Sequence, residues 1–324
     1  MGGTQLERTH LCLSYGTEVC EALRAGRPLV ALESTIIAHG IPRPRNYEVA
    51  CELESIVRDE GACPATIAVL DGEPKIGLSD IELHRIAADT GFRKLGLRDL
   101  PVAMAAKASG ATTVSATAFL AAHGGLRVFA TGGLGGVHRG WTDSWDESAD
   151  LETLSRTKIT IVSAGVKSIL DVPATLQRLE TLNVTVVGYR SMEFPGFYLH
   201  SSGQSVDWAI DSPESIVSVM QYQDDLDFCS ALVIANAVGI EDQLDPDLHD
   251  QVLAEALAAA EKEGVNGQRL TPYLLGQMVE GTNGASLEAN LAAVRANVAL
   301  AAKISLAWTA RRLVGDTVET GKAL

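Results

Sequence analysis

Lys167 lies in the run Ala164-Gly165-Val166-Lys167-Ser168, directly after the β-branched apolar stretch Ile159-Thr160-Ile161-Val162. A lysine on a small-residue turn at the carboxyl end of a buried strand stands where open parallel sheets put their chemistry. Held in a crevice, such an amine can lose its proton and attack a carbonyl carbon. From this segment alone a surface lysine following a strand fits equally well. Glu33 ends a second apolar strand, Pro28-Leu29-Val30-Ala31-Leu32, and burial there would raise its pKa into the range of a proton donor. Single carboxylates of this kind are more often structural than catalytic. His39, six residues on, reads as structural or as a substrate neighbour.

Two further clusters bear on binding. Gly132-Gly133-Leu134-Gly135-Gly136-Val137-His138-Arg139-Gly140 follows the short strand Val128-Phe129-Ala130-Thr131 and lets backbone amides approach an anion. It is not the Walker pattern. The next loop carries Asp143, Asp146, Glu147, Ser148 and Asp150. Several carboxylates in a short loop suit a hard divalent cation, Mg²⁺ or Mn²⁺, with water completing the shell. An acidic helix start accounts for them as well. Gly110-Ala111-Thr112-Thr113-Val114-Ser115-Ala116-Thr117 is a hydroxyl-rich junction opening a helix, where free amides and hydroxyls can hold phosphate or sugar oxygens. Lys94 and Arg98-Asp99 read from composition as solvated loop charges.

The elements that must position these groups alternate strand with helix. Strand-like runs recur at 28–33, 65–70, 128–131, 159–162, 182–189 and 232–236. Asp71-Gly72 predicts a hairpin turn into Pro74-Lys75-Ile76. Asn46 is expected to cap a helix through Val49, Leu53, Ile56 and Val57, and Ser79 to open one through Ile81, Leu83 and Ile86. A closing helix is expected from Ser286 to about Arg311, and Glu193 to Tyr198 reads as an aromatic pocket wall. The expectation is one α/β domain over 1–324, with a mainly parallel central sheet covered by helices on both faces.

Composition narrows the function classes. The chain has 324 residues, 46% of them hydrophobic, and a formal net charge of −15. A general nucleic-acid binder needs a basic face, so that class is disfavoured. A locally positive pocket for a small anion remains compatible with this charge. The five cysteines, Cys12, Cys20, Cys51, Cys63 and Cys229, show no Cys-x-x-Cys spacing, and their odd number fits reduced thiols in the cytoplasm. The N-terminal octapeptide lacks the apolar core of a signal peptide, and Leu6 breaks the myristoylation pattern. No run reaches about 18 uninterrupted apolar residues, so no membrane association is expected.

Long motifs now fall in order: Ala31-Leu32-Glu33-Ser34-Thr35-Ile36-Ile37-Ala38-His39-Gly40, Arg98-Asp99-Leu100-Pro101, Phe129 to Gly140, Asp146-Glu147-Ser148-Ala149-Asp150-Leu151, Lys167-Ser168-Ile169-Leu170-Asp171, Glu193-Phe194-Pro195 and Ser286-Leu287-Glu288-Ala289-Asn290. Over about 29–306 the chain resembles the pseudouridine-5'-phosphate glycosidase family, which includes the indigoidine-synthesis A proteins. The resemblance implies reversible cleavage of the C–C glycosidic bond of pseudouridine 5'-phosphate to uracil and ribose 5-phosphate. It implies Lys167 as nucleophile, Glu33 as proton donor and Asp146 as ligand of a divalent metal, typically Mn²⁺. Lys94, Val114, Ser148, Ala149 and Asp150 match substrate-binding positions, and His138, Asn290 and Thr131 are carried with them as pocket residues. A homotrimer is implied too. Val166 stands where the family usually has alanine, and Asn236-Ala237-Val238-Gly239 lacks its usual prolines. Two other readings use the same residues: a class I aldolase-like lyase on another sugar phosphate, and a ligand-binding homologue without turnover.

Overall fold

The computed structural model describes residues 12–321. The N-terminal octapeptide, on which the signal and myristoylation readings fall, lies outside the described residues. In chain order the strands are β1 (Ser14–Tyr15), β2 (Leu29–Glu33), β3 (Cys63–Leu70), β4 (Glu73–Ile76), β5 (Arg93–Leu95), β6 (Gly110–Thr112) and β7 (Val128–Ala130). They continue as β8 (Thr160–Ser163), β9 (Thr185–Tyr189), β10 (Glu193–Phe194), β11 (Gln204–Ser205), β12 (Ala209–Ile210) and β13 (Leu232–Ala235). The main sheet runs β1-β4-β3-β2-β7-β8-β13-β9-β12, with β6 pairing on β3 and β5 on β6. From β3 across to β12 every pairing is parallel; β3 meets β4 and β6 antiparallel.

Period-2 alternation builds two cores from one sheet. Ala31, Ile67, Phe129, Ile161 and Val233 face one side and pack with Leu120, Leu151, Leu179 and Leu253. Their neighbours Val30, Leu32, Val128, Ala130, Val162 and Ile234 face the other and pack with Val49, Leu53, Met220, Leu291 and Val298. The strands therefore read as continuous apolar runs, because both faces are covered by helices.

The chain passes from β2 to β3 on one side, then returns to place β7 on the other. That reversal opens a crevice beyond the carboxyl ends of β2, β7 and β8, the usual ligand position in such sheets. The Asp71-Gly72 turn is as expected: Leu70 pairs with Glu73, and both turn residues have φ near +52° and +85°. Ser79 caps Asp80–Ala88 in a capping box with Glu82. Ile81 on that helix is exposed, not apolar core.

Asn46 does not cap its helix. The helix starts at Arg45, and the Asn46 side chain is buried, donating to the carbonyls of Ile37 (2.8 Å) and Ala87 (2.9 Å). Those acceptors tie it to the π-turn Ile36–Gly40 that follows Glu33. The closing helix spans Ala285–Gly321, longer than periodicity implied. Its stretch Ala285–Arg312 is long and apolar enough on average to cross a membrane, but 61% of the apolar window is buried inside the protein. It packs under β2, β7 and β8.

Asn297 on this helix is fully buried. It donates to Thr131 O (2.8 Å) and accepts from Asn236 Nδ2 (2.9 Å), linking the ends of β7 and β13. Asn297→Leu keeps the bulk and removes both bonds. It should lower unfolding free energy by about 1–3 kcal/mol for each buried group left unpaired, read from urea denaturation. A variant as stable as the parent would contradict this account of the helix contact.

Candidate active site

The crevice opens into a cavity of about 730 Å³, within the range of small-molecule sites. Glu33, Lys94, Val114, His138, Asp146, Ser148, Ala149, Asp150, Lys167 and Asn290 all line it. Residues up to 257 positions apart in the chain thus meet in one place. Phe197 and Tyr198 supply the expected aromatic wall.

Lys167 is held by its backbone. The segment after β8 zips onto the glycine-rich loop: Ala164 N–H donates to Gly132 O (2.8 Å), Leu134 N–H to Gly165 O (2.9 Å) and Lys167 N–H to Leu134 O (3.1 Å). Gly165 has φ +77°, and a Cβ there would come within 2.5 Å of Pro195 O. Only glycine permits that turn. Val166 points the other way, fully buried in the core and outside the cavity lining. Its extra bulk relative to alanine therefore does not narrow the pocket.

Glu33 leaves β2 into the cavity, and burial pushes its carboxyl well above the usual range. The Lys167 charge and the Thr131 hydroxyl act in the opposite direction, and Asp150 adds to the rise. Lys94 lies on β5 at the cavity wall. Burial, then the charge of Lys167, holds its ammonium below the ordinary lysine range, while Asp150 and Glu33 oppose this. It is exposed to the solvent of the cavity, but it stands on a strand at the cavity wall and not in a loop. His138 is buried and shifted down by that burial, against the pull of Asp146. His39, on the π-turn, also lines the cavity, its pKa lowered by burial and then by Lys94.

Asp150 organises the floor. It is buried, and each oxygen accepts a backbone N–H: Oδ1 from Ser115 and Oδ2 from Gly135, both at 2.9 Å. Ser148 caps its helix, Ala149–Leu154. A Cβ on Gly135 would collide with Ser148 and Asp150, so the loop approaches them only as glycine. Val114 begins the helix Val114–His123, and its side chain is buried, which leaves backbone amide at the cavity.

The carboxylates of the acidic loop do not converge. Asp143 is exposed, Glu147 pairs with Arg178 (3.0 Å), and Asp150 is engaged as above. No group of three or more His, Cys, Asp or Glu side chains arranged for a metal occurs among the described residues. Asp146 faces the cavity beside His138, and its carboxylate has no side-chain partner among the described residues. One free carboxylate fits a hard cation that keeps water and takes substrate oxygens.

Thr131 differs from its companions. It is buried outside the cavity lining, and its hydroxyl donates to Glu33 Oε1. Sequence reasoning missed Asn297 and the helix Leu270–Gly281, whose Leu275 and Val279 line the outer cavity. Asn297 was visible as a polar residue seven positions after Asn290, inside the apolar stripe of Leu291, Val294 and Val298. Nothing in the outer helix distinguishes it from an ordinary surface helix.

The family model described as indigoidine synthase A like protein matches residues 18–307. A Streptomyces griseus protein named pseudouridine-5'-phosphate glycosidase is 63% identical over 291 residues, covering 90% of each chain. A Staphylococcus aureus protein of the same name is 44% identical, covering 91% of this chain and 96% of its own. Among solved structures, the prealnumycin C-glycosynthase AlnA in complex with ribulose 5-phosphate superposes with a TM-score of 0.86 at 33% identity, covering 93% of this chain and 98% of that one. An indigoidine synthase A-like protein of Thermotoga maritima gives 0.84 at 36% identity, covering 93% and 97%. By the span of the model and the identity of these relatives, the chain belongs to the indigoidine synthase A like family.

Proposed function

We propose that this chain is a pseudouridine-5'-phosphate glycosidase, splitting its substrate reversibly into uracil and ribose 5-phosphate. The observation that carries the reading is a half-buried carboxyl, Glu33, with its pKa raised, lining the same cavity as the amine of Lys167. A relative of that name, 63% identical over nine-tenths of both chains, supports it.

The chemistry follows from the bond. A C-nucleoside has no heteroatom leaving group at C1', so the departing carbon must itself be protonated. Two carboxylates of the ordinary glycosidase kind serve this poorly. In the proposed route the C1'–O4' bond opens, O4' takes a proton, and the Lys167 nitrogen bonds to C1' with loss of one of its own. Glu33 then protonates uracil C5. The C5–C1' electron pair returns to the uracil ring as the nitrogen lone pair forms an iminium with C1'. Water adds to that iminium and releases ribose 5-phosphate and the free amine. The net change is addition of one water.

A raised pKa keeps Glu33 protonated to higher pH, which is the state the donor needs. Cleavage should fall once pH rises through that raised value. Lys94, the amide at Val114 and the segment Ser148-Ala149-Asp150 are assigned to the sugar phosphate, with His138 and Asn290 beside them. Asp146 would hold Mn²⁺ or another divalent cation, which supplies charge to orient water and substrate oxygens. Action as a homotrimer in the cytoplasm completes the proposal. Free Cys12, Cys20, Cys51, Cys63 and Cys229 suit a reducing compartment.

Three measurements test this reading. Incubation with ribose 5-phosphate and borohydride should add mass to the peptide containing Lys167; a gain elsewhere, or none, removes the nucleophile. Glu33→Gln should lower uracil release by about 10²–10⁴-fold. The same variant should melt no lower than the parent at pH 7.5. A carboxyl with a raised folded pKa binds more protons folded than unfolded, so its destabilising effect grows as pH rises above the unfolded value of about 4.3 and disappears below it. The advantage of Gln should therefore vanish near pH 4. Asp146→Ala should raise the Mn²⁺ concentration needed for half-maximal activity, whereas an unchanged requirement removes Asp146 as ligand. Sugar-phosphate turnover without uracil release would favour an aldolase-like lyase.

A further inference from the structure

Thr131 is expected at the substrate by its position in the sequence, yet it sits behind Glu33, 2% exposed and outside the cavity lining. Its hydroxyl supplies the only hydrogen bond to the Glu33 carboxyl among the described residues, and it goes to Oε1. The Thr131 backbone is fixed at both ends. Its N–H donates to Val162 O (3.0 Å), and its carbonyl accepts from Asn297 Nδ2 (2.8 Å). Asn297 Oδ1 in turn accepts from Asn236 Nδ2 (2.9 Å). A β-branched side chain on a pinned backbone has few rotamers, so the hydroxyl direction is set by the sheet. Four strand ends contribute: β2 through Glu33, β7 through Thr131, β8 through Val162 and β13 through Asn236.

We propose that Thr131 is a positioning residue that holds Glu33 Oε1, so that Oε2 is the oxygen carrying and delivering the proton, with Asn297 and Asn236 fixing Thr131 from behind. The inference rests on Glu33 being the proton donor. A free carboxylic acid can carry its proton on either oxygen and rotate. With Oε1 occupied as an acceptor, the protonated oxygen is the one left facing the cavity. The hydroxyl also stabilises the carboxylate that remains after transfer, which eases the step in the cleavage direction and tunes where Glu33 titrates. Such a group acts on turnover more than on binding, because it touches the acid and not the substrate.

The test is Thr131→Val against Thr131→Ser, assayed for uracil release across pH, with Glu33→Gln alongside. Thr131→Val preserves shape and removes the donor. Its kcat should fall about ten- to a hundredfold with KM nearly unchanged, and the basic limb of its pH profile should move to higher pH. Thr131→Ser should restore both. A Thr131→Val enzyme with the parent kcat and pH limb overturns the proposal. So does a rise in KM at constant kcat, which would put the hydroxyl on the substrate, and so does a serine variant as slow as valine, which would leave only the methyl packing. An active Glu33→Gln removes the donor reading itself, whereas an inactive one beside a normal Thr131→Val removes the positioning role alone.

Discussion

The carboxyl of Glu33 is half-buried near the charge of Lys167, and much of the fold exists to keep that arrangement. Burying an acid without a full set of partners costs free energy at neutral pH, so its surroundings must be stable enough to carry it. Seven parallel strands with a packed core on each face provide that. The strand order sets Glu33, Thr131 and the Lys167 turn on three adjacent strand ends. The two groups thereby open into one cavity, on backbone held by hydrogen bonds to neighbouring strand ends.

The second constraint is close backbone approach. The glycine-rich loop and the 164–167 turn run alongside each other with no room for side chains at Gly133, Gly135 or Gly165. Phe197 lies over Gly133, where a Cβ would come within 2.5 Å of its ring. Asp150 then turns two otherwise orphaned amides into part of the floor. One acidic residue thus joins the loop after β7 to the helix after β6. This explains why the carboxylates of that loop part ways: one is needed for the scaffold, one pairs with Arg178, and Asp146 alone faces the cavity without a side-chain partner.

The sheet was legible because its strands are apolar on both faces and interrupted by strong turns. Glu33 and Lys167 were legible as polar residues ending such runs. Their convergence was not, since strand order depends on long-range pairing that no local pattern encodes; β13 inserts between β8 and β9 although it follows both in sequence. Asn46 misled because an asparagine at a helix start caps more often than it is buried. Here the carbonyls of Ile37 and Ala87 compete for its amide. Lys94 misled because composition cannot distinguish a loop lysine from one on a short strand facing a cavity. Thr131 read as a pocket residue by its place in a motif, and its side chain turned out to face the acid instead.

The closing helix shows how the same elements serve both stability and chemistry. Its apolar face completes one core, with Leu291, Val294 and Val298 against the sheet. Its polar residues interrupt that face at Asn290 and Asn297, two turns apart and both toward strand ends. Asn290 lies at the cavity, its Oδ1 within 2.9 Å of where a Cβ on Gly132 would stand. Outside the core, Glu288 grips Arg45 through two bonds, and Arg295 grips Glu52 at 2.7 and 2.9 Å. Arg45 stands five residues after the end of the π-turn, directly behind Pro44, so this clamp joins the helix that follows the wall after Glu33 to the closing helix. Exposed pairs of this kind add little to global stability. They join the helix Arg45–Asp59 to the closing helix at two places. Register of the closing helix is therefore read in three ways along its length, by the ion pairs of Glu288 and Arg295, by Asn297 behind Thr131 and by the apolar stripe. A shift of one residue would break all three, which makes the helix a specific partner of the strand ends and not merely a hydrophobic cover.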